Sequence, residues 1–378
     1  MSRLSRTISY FTGLPEEQKA LLNTIEKYST REERKRIEHL LRGKEVTITL
    51  KTIPIGKKHF SYPYISGEKE LNETILARVR TESYSTYAEN VYEEIRAVLA
   101  PHILGREEIK EAVTLQLFTE ERLHILLLGD PGTGKTDVLS AAQTLAEKSS
   151  MGLGSGTTGA GLSVAYAKGE MQKGLLLLAH QGLCCIDELN LMKKDDRAAL
   201  YNAMEKGFIT YAKGGRNEQY EADVRILATA NPKGDRFEGD SIRELEKQLP
   251  FEKALISRFH FVFLVRKPDT QEFLNITKKI LREEKKKHPD SRYAKEYIAH
   301  AKKIRVDFPA EREEQVMHIA KRIKEQEEKT LIEVSPRLIK GIIGFAKASA
   351  RAQLRNRVEE EDVLRVQKLL EKSLDIRI

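Results

Sequence analysis

At 378 residues with 40% hydrophobic content, the chain is long enough for two or three domains with real cores, and its 32% charged residues and formal charge of +8 either tilt it towards acidic partners, nucleic acid first, or simply make an ordinary solvated basic surface. Its two cysteines, Cys184 and Cys185, are adjacent in an apolar run and point to opposite faces of a strand, which excludes a disulfide framework and a zinc site and suits a reducing compartment. No apolar run nears the roughly 18 residues that span a membrane, and Met1–Leu14 has Arg3 and Arg6 but no signal-peptide core, so a soluble, intracellular protein is expected.

From Pro15 to Leu41 the apolar residues Leu21, Leu22, Ile25, Ile37, Leu40 and Leu41 follow a helical period, interrupted by a charge-rich turn from Arg31 to Arg36. Glu45–Ile53 alternates with period two, and the turn Pro54–Lys58 leads into His59–Ile65, which reads as a β-hairpin. Met1–Phe60 holds about 13 Lys/Arg against about 7 Asp/Glu, a basic surface that contacts phosphates or simply meets water. Ser66–Thr86 is polar and reads as a connector. Tyr87–Leu99 and Glu107–Phe118 read as amphipathic helices separated by a break at Pro101 and Gly105.

The apolar strand Leu123–Leu128 then runs into Gly129-Asp130-Pro131-Gly132-Thr133-Gly134-Lys135-Thr136, with a helical pattern from Asp137 to Lys148 after it. Strand, Gly-rich loop and helix match the phosphate-binding loop in full. The glycines let backbone N–H groups wrap a phosphate chain and the helix aims its positive end at the same anion, while Lys135 reaches the β- and γ-phosphates and Thr136 takes a place on Mg²⁺. Gly152–Gly161 is too rich in small residues for a core element and reads as a loop. After a helix-like Leu175–His180, the strand Leu183–Ile186 ends in Asp187-Glu188, where a parallel sheet presents ligand groups; Asp187 would hold Mg²⁺ and Glu188 would polarise the attacking water. A third strand, Asp223–Ala230, ends in Asn231, either a ligand to water or the γ-phosphate or a cap on the turn at Pro232. A fourth, Phe261–Val265, follows Leu255–His260. Repeated strand-loop-helix units predict a doubly wound α/β core. Beyond Lys267 the chain is helical and highly charged, with a solvated run at 282–289, a helix opening at Ser335-Pro336 and a last one near Val358–Val363.

Taken jointly, GDPGTGKT, CCIDEL, ATANP and LISRF, followed by a helical lid, resemble the AAA+ ATPases, and more narrowly the ATPase half of the MCM replicative helicases, over roughly Tyr87 to Leu370. Ala100–Gly105, Leu115–Phe118, Thr157–Leu162, Tyr297–Lys303 and the stretch from Pro336 through Asp362-Val363 agree. The resemblance implies three parts: residues 1–86 as a small collar-like region of helices and a hairpin, 87–267 as the ATPase core, and 268–378 as the α-helical lid. It implies that Asp187 and Glu188 form the metal- and water-handling pair and that Asn231 senses the γ-phosphate. Arg258 would be an arginine finger and Arg337 a second arginine, both acting on ATP in a neighbouring subunit, hence a homo-oligomeric ring, hexameric in the family. Lys213, in the hairpin Thr210–Gly215, would follow the DNA backbone. Three departures stand out: only seven residues between Tyr166 and Gly174, which curtails a second channel hairpin; no counterpart of the family's oligonucleotide-binding barrel and four-cysteine zinc module; and Asn190 and His260 where acidic residues are usual.

The expected function is therefore an ATP- and Mg²⁺-dependent DNA motor or helicase in the cytoplasm, associated with the nucleoid, acting on single-stranded or forked DNA and open to co-assembly with another MCM. The alternatives are a chelatase- or MoxR-like ATPase acting on protein and a non-unwinding MCM-related accessory subunit.

Overall fold

In the computed structural model, which describes residues 15–42, 46–55, 58–167, 170–213, 216–234, 236–239, 242–282, 291–330 and 335–374, the chain divides into two compact units, Met1–Asn90 and Val91–Ile378. The first contains α1 (Pro15–Tyr28), α2 (Arg31–Arg42), an antiparallel hairpin of β1 (Ile48–Ile55) and β2 (Lys58–Ile65), and α3 (Lys69–Ala88). The turn residues 56–57 and the stretch before Pro15 lie outside the described residues. Two expectations are corrected. The helical break falls at Ser29-Thr30, and Arg31–Arg36 is helix, because Thr30 and Glu33 form a capping box: Thr30 N–H donates to Glu33 Oε2 at 2.7 Å and Glu33 N–H to Thr30 Oγ1 at 3.3 Å. Ser66–Thr86 is mostly helix rather than connector, because Leu71, Ile75 and Val79 recur every four residues and are buried, a stripe that its polar neighbours mask in composition.

The second unit opens with α4 (Val91–Val98) and α5 (Glu107–Phe118), then alternates β3 (Ile125–Gly129), α6 (Lys135–Leu145), β4 (Ser149–Leu153), β5 (Val164–Ala167), β6 (Glu170–Lys173), β7 (Leu183–Asp187), α7 (Ala198–Lys206), β8 (Phe208–Lys213), β9 (Arg216–Glu221), β10 (Arg225–Ala230), α8 (Ile242–Gln248) and β11 (Phe261–Val265). Helices follow: α9 (Thr270–Arg282), α10 (Ser291–Ala301), α11 (Glu313–Glu325), α12 (Pro336–Ala352) and α13 (Glu360–Leu374). The charged run 283–289 lies outside the described residues. Five parallel strands form the main sheet in the order β11-β3-β10-β7-β4. β3, β7 and β10 are buried along their whole length, as strands covered on both faces must be, and each fully buried Leu or Ile contributes about 1.5–3 kcal/mol. β4 is a further correction: part of the Gly-rich stretch read as loop is the sheet's edge strand, and its half-exposed small and polar residues hide it from an apolar-run reading.

Helix α12 packs against the amino-terminal ends of the strands through His260, whose ring meets Phe345 edge-on at 6.5 Å. His260 Nδ1 accepts the His124 N–H at 3.0 Å, and His124 Nδ1 accepts the Ile226 N–H at 3.1 Å. Burial, and then the Arg337 charge, push His260 down to about 3, so it is a neutral wall residue. Arg351 ties the same helix down, donating to Phe118 O at 2.8 Å and Ile304 O at 3.0 Å. No helix of the described residues is long and apolar enough to cross a membrane.

Candidate nucleotide site

The loop Gly129–Gly134 leaves the carboxyl end of β3, and α6 begins at once. Gly132 and Gly134 have φ of 75° and 80°, which side chains rarely adopt, and Gly134 at the N-cap has no side chain to cap the helix start, which leaves its first N–H groups directed toward the loop. Lys135 Nζ donates to Gly129 O at 2.9 Å and Asp130 O at 2.7 Å. Asp130 is itself committed: its Oδ1 accepts the Phe237 N–H at 2.8 Å and its Oδ2 the Lys267 N–H at 2.9 Å, while its own N–H donates to Val265 O. Asp130 thus shapes the loop, and Thr133 Oγ1, donating to Asp130 O at 2.8 Å, closes its turn beside Pro131.

The neighbouring strand ends converge on this loop. Asp187, buried at the end of β7, accepts the Thr136 hydroxyl at 3.0 and 3.2 Å and the Thr229 hydroxyl as well. A hydroxyl paired with a carboxylate is the hard-oxygen donor set that suits Mg²⁺, and together with the uncapped helix start it fits a magnesium–nucleotide ligand. Glu188 follows in a left-handed conformation, φ 51° and ψ 46°, with its N–H donating to Thr229 Oγ1 at 2.9 Å. A Cβ on Gly154 would lie 2.1 Å from Glu188 O, so only glycine permits that approach. Asn231 stands just beyond β10, and its N–H donates to Asn190 Oδ1 at 3.0 Å. That bond explains the first unusual residue: an amide oxygen there accepts as a carboxylate oxygen would.

Arg258 and Arg337 are not in this cluster. Arg258 precedes β11, whose register runs from Phe261 opposite Ile125 to Val265 opposite Gly129, so it sits at the opposite end of the sheet from the phosphate loop, roughly 13 Å of strand away or more. There Arg258 pairs with Glu205 at 3.0 Å and lies over the Tyr201 ring at 4.8 Å, while its buried Nε has no hydrogen-bond partner among the described residues. Arg337 donates to Ser257 O at 3.0 Å beside it, and burial followed by repulsion from Arg258 lowers its pKa. Lys213 closes β8 in register with Arg216; Gly214 and Gly215 lie outside the described residues.

The MCM P-loop domain family matches residues 82–284 and the MCM AAA-lid domain residues 293–374. The chain belongs to the MCM family. Its α/β sheet and helices are the family's AAA+ core and lid. It is 32% identical over 337 residues to the DNA replication licensing factor mcm7 of Xenopus tropicalis, covering 82% of this chain and 46% of that protein. It is 28% identical over 326 residues to the minichromosome maintenance protein MCM of Saccharolobus solfataricus, covering 79% and 47%. Against the licensing factor mcm4-B of Xenopus laevis the figures are 28% over 316 residues, covering 75% and 36%. The chain thus spans about half the length, or less, of these curated relatives.

Three residues that position this MCM site escaped sequence reasoning. Thr229 joins Asp187 to Glu188, and its one signal was a hydroxyl within the apolar run 226–230. Gly154 was absorbed into a Gly-rich loop, and Glu205 had no local signal at all. Lys135 carries a pH dependence. Desolvation lowers it to about 8 despite the opposing charges of Asp130, Asp187 and Glu188, whereas a bound phosphate chain raises it again. The free protein therefore loses this proton as pH rises through about 8 while the complex keeps it. Nucleotide affinity is expected to hold to about pH 7.5 and then to fall towards tenfold per unit up to about pH 9.5. Titration of a fluorescent nucleotide across that range checks this; a flat affinity contradicts it.

Proposed function

We propose that this MCM chain is an ATP-hydrolysing motor that binds and translocates on DNA, acting as a helicase in a ring, most simply a hexamer, alone or with another MCM. The observation that carries the proposal is the separation of Arg258 from its own phosphate loop by the length of β11. A guanidinium placed there serves only a loop brought by another subunit, which ties hydrolysis to head-to-tail assembly.

The geometry supports a division of labour. The loop and the start of α6 hold ATP by its phosphates, Lys135 neutralises them, and Thr136 with Asp187 holds Mg²⁺, which supplies charge neutralisation on the phosphates. Glu188 orients water and accepts its proton, Asn231 holds water or the γ-phosphate in place, and Arg258 with Arg337 meets the charge that develops on a neighbour's ATP. Residues 87–267 serve as motor core, 268–378 as lid and 1–86 as collar. Lys213 follows the DNA phosphates without reading sequence. The names of the relatives, which are DNA replication factors, favour DNA over protein as the channel's substrate.

The test is the steady-state ATPase rate with and without single-stranded DNA. DNA is expected to stimulate the unsubstituted protein, and Lys213→Ala to remove the stimulation while leaving DNA-free hydrolysis intact. Hydrolysis indifferent to both DNA and Lys213 would overturn the DNA-motor reading in favour of a protein-remodelling ATPase.

A further inference from the structure

Outside the nucleotide site, the second unit carries two small antiparallel hairpins, β5–β6 and β8–β9, neither hydrogen-bonded into the main sheet. Strand alternation sorts their side chains. In β8–β9, Tyr211 lies opposite Glu218 and Ile209 opposite Tyr220, so these four share one face. Ile209 is buried, which makes that face the inward one, and Tyr166 of β5 comes onto it from the other hairpin. The Tyr166 ring lies 5.2 Å from the Tyr211 ring, tilted by 51°. Its hydroxyl is 2.8 Å from Glu218 Oε2 and 2.6 Å from the Tyr220 hydroxyl, and the Tyr220 hydroxyl donates to Glu218 as well.

Three oxygens thus form a triangle held by two phenolic protons. Tyr220 donates to Glu218, and Tyr166 donates either to the same carboxylate or to Tyr220, so in both arrangements β5 is hydrogen-bonded to β9. A charge-assisted bond of this kind is about twice as strong as a neutral one, and the aromatic contact adds to it. By contrast, β5–β6 has only four register pairs of its own, from Val164–Lys173 to Ala167–Glu170. A two-stranded ribbon that short does not hold its shape alone in water. Its stability must come from what it packs against. Lys213 stands two residues beyond Tyr211 on β8, the strand whose Tyr211 ring meets Tyr166.

We propose that Tyr166, Glu218 and Tyr220 lock the short hairpin to the β8–β9 hairpin, making the two a single nucleic-acid contact element that moves as one body. The lock rests on geometry alone; the word nucleic acid rests on the function proposed above. Tyr166, Glu218 and Tyr220 are positioning residues: they fasten the hairpins and do not themselves contact the phosphates.

Two readouts on the full chain test it, using Tyr166→Phe, which removes one hydroxyl and keeps the ring, and Glu218→Gln, which keeps the size and removes the charge. Amide hydrogen exchange over 164–173 should accelerate about tenfold in either variant, the loss expected of one buried or charged hydrogen bond, with little change over β3 and β10. The single-stranded DNA concentration giving half-maximal ATPase stimulation should rise about fivefold, with the rate at saturating DNA retained. Unchanged exchange over 164–173 in both variants overturns the lock. Faster exchange with an unaltered half-saturating concentration overturns the shared contact element. If DNA fails to stimulate even the unsubstituted protein, the DNA-motor reading falls while the exchange data still decide whether the hairpins are fastened together.

Discussion

Replacing Glu188 by Gln is expected to lower steady-state ATP hydrolysis by about 10² to 10⁴, with nucleotide affinity changed by no more than about twofold. Glutamine matches glutamate in size and still orients water by hydrogen bonding, but it cannot take up the proton that the attacking water gives away. Everything that places Glu188 is independent of its carboxylate. Its left-handed backbone is held by the Thr229 hydroxyl and by the close approach of Gly154, and conformations of this kind cost on the order of 1–3 kcal/mol, which the surrounding contacts must offset. The substitution therefore removes chemistry and leaves geometry. Hydrolysis by Glu188→Gln within about threefold of the unsubstituted rate would assign the proton to another group.

Arg258→Ala is expected to lower hydrolysis by about 10³ or more while leaving the isolated subunit's nucleotide affinity unchanged. The stability cost is small. Arg258 contributes a partly exposed ion pair to Glu205, a contact with the Tyr201 ring and a hydrogen bond to Ala254 O, together worth about 1–2 kcal/mol, while its buried Nε has no hydrogen-bond partner among the described residues. Arg258 is set at the far end of β11 from its own loop, and in the proposed ring its value lies in a neighbour's site. Circular dichroism and a thermal melt of the variant separate lost folding from lost catalysis: a cooperative melt lowered by about a few degrees at most, with lost hydrolysis, is expected.

The parts of this molecule that were legible in the sequence are those whose signal is local. The apolar runs of β3, β7, β10 and β11 and the ends of α5 at Glu107 and Phe118 follow from burial and helix punctuation. The phosphate loop and the Asp187-Glu188 pair follow from motif chemistry. Elements whose burial is partial were harder to see. Helix α3 buries a narrow stripe under polar residues, and β4 is an edge strand with small residues. What the sequence withheld is mutual placement: Glu188 meets Thr229, Asn190 meets Asn231 and Arg258 meets Glu205 across gaps of 41, 41 and 53 residues, and no local pattern marks those pairs. Asp130 makes the same point inside the motif itself. Its carboxylate anchors the loop to Phe237 and Lys267, more than a hundred residues away, and no local pattern marks those partners.

The measurement that reaches the central claim most directly mixes two inactive variants, Lys135→Ala and Arg258→Ala. In a head-to-tail ring each site takes its loop from one subunit and its arginine from the next, so an equal mixture places both intact parts at about one interface in four, and activity should return to about a quarter of the unsubstituted rate. If Arg258 served its own loop, mixing would restore nothing. Recovery near that fraction supports a site shared between subunits; no recovery, in a mixture shown to assemble, contradicts it.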